Sequence, residues 1–89
     1  MVSVRFTPQL RRFTETPALD CPATTLHEAL SAAFTLNPRL RGYLLDDQGH
    51  VRPNVAIFID GRRCADDEAQ SDPLAPDSQV WVMQALSGG

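Results

Sequence analysis

The stretch Val80-Trp81-Val82-Met83-Gln84-Ala85-Leu86, followed by Ser87-Gly88-Gly89, carries the reading of this chain. Its run of apolar and β-forming residues predicts a final strand over 80–86. Side chains alternate along a strand, so if Val80 and Val82 point into a core with Leu86, then Trp81 and Met83 point out on the opposite face. A register shifted by one residue would reverse this, burying Trp81 under a loop and half exposing the valines. The glycines that follow add no packing and cost order, so 87–89 is expected to be a thin, flexible Ser-Gly-Gly arm beyond a folded body of residues 1–86. An arm of that kind, ending in the Gly89 carboxylate, could thread into another protein's active site where any side chain would clash. It points to a reactive group at the C-terminus itself.

Upstream, Val51 to Ile59 is the clearest strand of the chain, with Val55, Ile57 and Ile59 inward and Phe58 outward. Asp60-Gly61 is a hairpin signal leading into a short strand at Arg62-Arg63-Cys64. Phe58, Trp81 and Met83 then form an exposed apolar patch just before the glycines, and surface aromatics and methionine are the usual anchors of a protein interface. Arg52, Arg62 and Arg63 either rim that patch and pair with acidic residues of a partner or are ordinary solvated charges. Between the hairpin and the last strand, Ala65 to Gln79 contains Asp66, Asp67, Glu68, Asp72, Pro73, Pro76 and Asp77, and reads as a surface loop.

The first half supplies the remaining faces. Val2, Val4 and Phe6 alternate with Ser3 and Arg5, the period of a half-buried strand that ends at Thr7-Pro8. Residues 9–17, with Arg11 and Arg12, read as a loop or loose hairpin into a short strand around Ala18 to Cys21, closed by Pro22. Thr25-Leu26-His27-Glu28 fits a capping box, Thr25 accepting from the backbone and Glu28 reaching back to it. Leu26, Ala29, Leu30, Ala33 and Phe34 follow at helical spacing, and Asn37-Pro38 ends the helix. A short helical turn is expected over 39–45 with Leu40, Tyr43 and Leu44 inward, then a turn at Asp46-Asp47-Gln48-Gly49. The order strand, strand, helix, strand, strand, strand describes an α+β domain, a mixed four- to five-stranded sheet packed on one main helix.

Composition narrows the functions. At 89 residues the chain is one domain, and its net charge of −3 argues against nucleic-acid binding, which needs a basic excess on one face. No apolar run approaches the roughly 20 residues of a membrane helix, and Met1 to Phe6 lacks the pattern of a secretory signal, so a cytoplasmic location is expected. All eight basic residues are arginine, from coding bias or from selection; the domain therefore cannot form lysine-linked chains with its own copies. Cys21 and Cys64 read as reduced, part-buried side chains, with a redox or thioester role left open. No metal site is expected, because neither cysteine nor His27 nor His50 has ligand spacing and the Asp66-Asp67-Glu68 cluster lacks the glycine and spacing of a calcium loop. With no nucleophile context and no phosphate loop either, the inventory does not support an enzyme.

The strand order, the closing segment 80–89 and the segment Leu44-Leu45-Asp46-Asp47-Gln48-Gly49-His50-Val51-Arg52-Pro53-Asn54-Val55-Ala56-Ile57-Phe58-Ile59-Asp60-Gly61 together resemble the ubiquitin-like sulfur carriers over the whole chain. These include the small subunit of molybdopterin synthase, the thiamine-pathway carrier and the longer carriers of cysteine-forming pathways, to which the second segment is most similar. The tail differs from the molybdopterin subunits in that Met83-Gln84-Ala85-Leu86 contains no proline. The resemblance implies a β-grasp fold and a protein cosubstrate rather than a catalyst. A partner adenylyltransferase of the ubiquitin-activating type would use ATP and magnesium, neither held by this chain, to adenylate the Gly89 carboxylate. A sulfur donor would then displace AMP, and the thiocarboxylate would pass its sulfur to a downstream synthase. Gly88 would let the arm lie extended in a tight channel, Ser87 and Leu86 would set its reach, and Phe58, Trp81 and Met83 would dock the activating enzyme. Three rivals remain: a molybdopterin synthase subunit, a ubiquitin-like modifier joined to lysines of other proteins, and a binding domain in which the glycines are coincidental.

Overall fold

Val2, Val4 and Phe6 are buried along a first strand, β1 (Val2–Phe6), with Ser3 and Arg5 on its other side. A computed structural model describes residues 1–8, 10 and 14–84. The elements that follow are β2 (Leu19–Cys21), α1 (Leu26–Leu36), α2 (Arg39–Leu44), β3 (Val55–Ile59), β4 (Arg62–Arg63) and β5 (Gln79–Gln84). They build an α+β body whose five strands lie in the order β2-β1-β5-β3-β4. β5 occupies the centre, parallel to β1 and antiparallel to β3, while β2 and β4 close the edges as antiparallel partners. This is the mixed sheet expected of a β-grasp.

The inner face of the sheet presents Val2, Val4, Phe6, Val55, Ile57, Val80 and Val82, all buried, with Leu19 and Ile59 packed partly against them. Against that face lie Leu26, Ala29, Leu30 and Ala33 of α1, one stripe at three- and four-residue spacing, with Phe34 half-buried beside it. Leu40 and Leu44 of α2 are fully buried and extend the core beyond the end of α1, with Tyr43 packed partly against it.

The start of α1 is the expected capping box, extended by one residue. Thr25 Oγ1 accepts the Glu28 N–H at 3.3 Å. Glu28 reaches back as expected, its carboxylate favoured by the Thr25 backbone N–H, and goes one residue further, accepting the backbone N–H and the hydroxyl of Thr24 at 2.7 and 2.8 Å. The chain enters the helix extended, bridged at Thr25 to Pro73, so the amide one residue earlier meets the carboxylate. At the far end Asn37 leaves the helix in extended geometry, and its side-chain amide donates to Thr14 Oγ1 and the Glu15 carbonyl at 2.8 and 2.7 Å.

The strand expected over 51–59 is shorter, because β3 begins only at Val55. Val51 forms an isolated bridge to Leu45, and Pro53, which has no N–H to give a ladder, sits in a turn. The β3–β4 hairpin turns at Asp60 and Gly61, φ 52° and 85°, the left-handed pair of a tight two-residue turn. β4 stops at Arg63 rather than Cys64. The Asp60 carboxylate accepts the Gln79 N–H and the Ser78 hydroxyl, both at 2.9 Å, which clasps the hairpin to the start of β5. The loop over 65–78 is braced from within: Asp66 accepts the N–H groups of Glu68, Ala69 and Ser71 and the Ser71 hydroxyl, while Asp72 accepts those of Ala65 and Asp66. The Ser71 hydroxyl, with those amides, pushes the Asp66 carboxyl down to about 2.

The strand alternation predicts unequal costs for neighbouring truncations. Ile57→Ala empties a fully buried site and should lower unfolding free energy by about 2–5 kcal/mol. Met83→Ala on the other face should cost about 1 kcal/mol or less. Urea titrations of both variants check this, and equal losses would contradict the assigned faces.

Candidate functional site

The outer face of the sheet, away from α1, is where the chain leaves apolar side chains uncovered. Pairing register aligns Arg5 of β1, Trp81 of β5, Phe58 of β3 and Arg63 of β4 in one row across the strands. Trp81 is 44% and Met83 43% exposed, whereas Val80 and Val82 on the reverse side are at 0 and 1%. Phe58 is half-buried between its cross-strand neighbours Trp81 and Arg63. Ala56 lies beside Met83, a small residue that leaves a depression between them. A groove of about 410 Å³ runs there, from Arg63 and Phe58 at one end past Ala56 and Met83 to Thr7 and Gln84 at the other.

Of the two arginines on this face, Arg5 is committed. Its guanidinium donates to the Val4 and Leu19 carbonyls at 2.9 Å each and lies 3.4 Å from the Asp20 carboxylate. Arg63 is exposed and makes no ion pair or hydrogen bond through its side chain among the described residues.

No protein-family model matches the sequence, and no curated protein matches it. The solved structures give a clear likeness. SAMP1 from Haloferax volcanii superposes with a TM-score of 0.76 at 19% identity, over 99% of this chain and 98% of that one. A chain of the Amycolatopsis orientalis BexX/CysO complex gives 0.80 at 12% identity over the whole of both. The small archaeal modifier protein 1 of Methanosarcina acetivorans gives 0.78 at 19% identity, over 99% and 95%.

The fold is ubiquitin-like.

On this ubiquitin-like sheet the residues singled out in the sequence do not all gather. Phe58, Trp81 and Met83 share the outer face. Arg62 pairs with Ile59 and so belongs to the opposite side of β4, while its neighbour Arg63 pairs with Phe58. Arg52 lies before β3, where its Nε donates to the Gly42 carbonyl of α2 at 2.9 Å. Leu86, Ser87, Gly88 and Gly89 lie outside the described residues, as do Arg11 and Arg12. Arg5 and the groove-lining Thr7 and Ala56 were not anticipated as part of this face. Arg5 was available from the alternation of β1, whereas the groove depends on pairing between strands distant in sequence.

Other chemistry is thinly represented. Among the described residues no group of three or more His, Cys, Asp or Glu is placed to hold a metal ion, and no helix is long and apolar enough to cross a membrane. Cys21 and Cys64 are both free and buried. Burial pushes the Cys64 thiol up to about 12, helped by its 3.2 Å hydrogen bond to Asp67 and the charges of Asp67 and Asp72. Cys21 is raised in the same direction, by burial and then by Asp20. A thiol held so far above neutral pH is a poor nucleophile. Native Cys64 should therefore react with iodoacetamide at mildly alkaline pH roughly 100-fold more slowly than in the urea-unfolded chain. Comparable rates, read by peptide mass spectrometry, would show a reactive thiol instead.

Proposed function

We propose that this chain is a ubiquitin-like sulfur carrier, a protein cosubstrate whose Gly89 carboxylate is the group that reacts. The observation that carries the reading is the position of β5. The central strand of the sheet bears the exposed Trp81 and Met83 and leads directly into Ala85-Leu86-Ser87-Gly88-Gly89. A partner that docks on this face has the following segment within reach of its own active site. The likeness of fold to SAMP1 and to the BexX/CysO complex supports the same reading.

In this account the partner is a ubiquitin-activating-type adenylyltransferase, which supplies the ATP and magnesium. A Gly89 carboxylate oxygen attacks the α-phosphorus of ATP, and pyrophosphate leaves. The resulting acyl-adenylate is an electrophile that the carboxylate itself is not. Sulfide from the donor attacks its carbonyl carbon, the bond to AMP breaks with AMP as leaving group, and a thiocarboxylate remains as a protein-bound nucleophile for a downstream synthase. Phe58, Trp81 and Met83 dock the activating enzyme, and Leu86, Ser87 and Gly88 carry the carboxylate into its channel. The work is cytoplasmic, where ATP and the biosynthetic partners meet.

The small archaeal modifier protein among the similar structures supports a second reading, attachment of Gly89 to lysines of other proteins. Because the chain contains no lysine, such tags would not extend through lysines of the chain itself.

Intact-mass spectrometry after incubation with the cognate adenylyltransferase, ATP, magnesium and a sulfide source separates the two. The carrier reading predicts a gain of about 16 Da, one carboxyl oxygen replaced by sulfur, lost on deleting Gly89. An unchanged mass beside an active adenylyltransferase contradicts it, and a Gly89-dependent ladder on other proteins would establish the modifier.

A further inference from the structure

The acidic residues of this chain avoid the groove. The sequence holds eleven carboxylates against eight arginines, yet among the described residues none lines it. Asp20 is taken by Arg5, Asp60 by Ser78 and Gln79, and Asp66 and Asp72 by amides of their own loop. Arg63 does line the groove, exposed and without a carboxylate partner among the described residues. A guanidinium beside apolar surface is a good receptor for a carboxylate, because its planar fork can make two parallel hydrogen bonds and its weak hydration makes it cheap to cover.

We infer that the groove receives a segment of the activating enzyme that is apolar where it meets Phe58 and Met83 and carries an aspartate or glutamate where it meets Arg63. This rests on the carrier reading and adds the chemistry and direction of the contact. Among the described residues the groove carries charge at one end only. The other end, at Thr7 and Gln84, is where β5 ends. A segment acidic at one end therefore lies in the groove one way round, which fixes where the partner sits relative to the end of β5. The net charge of −3 works in the same direction, disfavouring approach of an acidic surface to the other faces.

Arg62 provides the internal control. It has the same charge one residue away on the opposite side of β4. Binding of the cognate adenylyltransferase to the full chain, measured at low and moderate salt, should weaken with salt, and Arg63→Glu should reduce affinity about tenfold or more while Arg62→Glu stays within about twofold. Arg63→Gln should fall between, and thermal melts of the exposed-site variants confirm that they fold. Equal effects at both arginines, or no binding at all, would overturn the inference. Thiocarboxylate formation at saturating enzyme is read on the same samples. Arg63-dependent binding without the mass gain sinks the carrier reading and leaves the groove assignment standing, and a mass gain with equal arginine effects does the reverse.

Discussion

Hydrogen bonding between β1 and β5 joins the two ends of the described chain at the middle of the sheet, Val4 beside Val80 and Phe6 beside Val82. The pairing closes a loop of nearly the whole chain, so its entropic cost is met only when the valines on both strands are buried with α1 and α2 over them. Everything else is arranged around it. β2 adds to the free side of β1, β3 to the free side of β5, and β4 to β3. The register of this pair also decides which side chains of β5 meet solvent, since a slip of one residue would bury Trp81 and expose Val80.

A second set of contacts fixes that register at the start of β5. The Asp60 clasp ties the β3–β4 hairpin to the start of β5, and hydrogen bonds from the N–H groups of Gln79 and Ser78 hold both residues at the turn into the strand. Gln70, buried at 2% exposure with φ 53°, donates from Nε2 to the Gly49 and Asp67 carbonyls and pins the acidic loop against the turn after α2. The hairpin end of the outer face is thus fastened to the start of β5.

Much of this was legible in the residues because it is periodic. The stripe Leu26, Ala29, Leu30, Ala33 and the alternation of β1 and β5 each carry their own face assignment. What was not legible depends on partners distant in sequence. Nothing local to Val51 says that it will bridge to Leu45, although Pro53 is itself a local signal against a strand running unbroken into Val55. Arg62 and Arg63 are identical in type and adjacent, and only the cross-strand pairing with Ile59 and Phe58 separates them. Arg52 is drawn toward α2 by a carbonyl whose position follows from the packing of Leu40 and Leu44. The glycines that suggested the chemistry lie beyond the described residues, so the sequence remains their only source.

The surface proposed for a partner is the outer face of β5. Trp81 is the only tryptophan, so in a nitrogen-labelled sample its indole N–H gives a single resolved nuclear magnetic resonance signal from the middle of that face. Titration with unlabelled adenylyltransferase is predicted to shift or broaden this signal together with the amides of Phe58, Arg63 and Met83, leaving the exposed side of α1, at His27 and Ser31, unchanged. Changes confined to α1 with an undisturbed Trp81 would contradict the account.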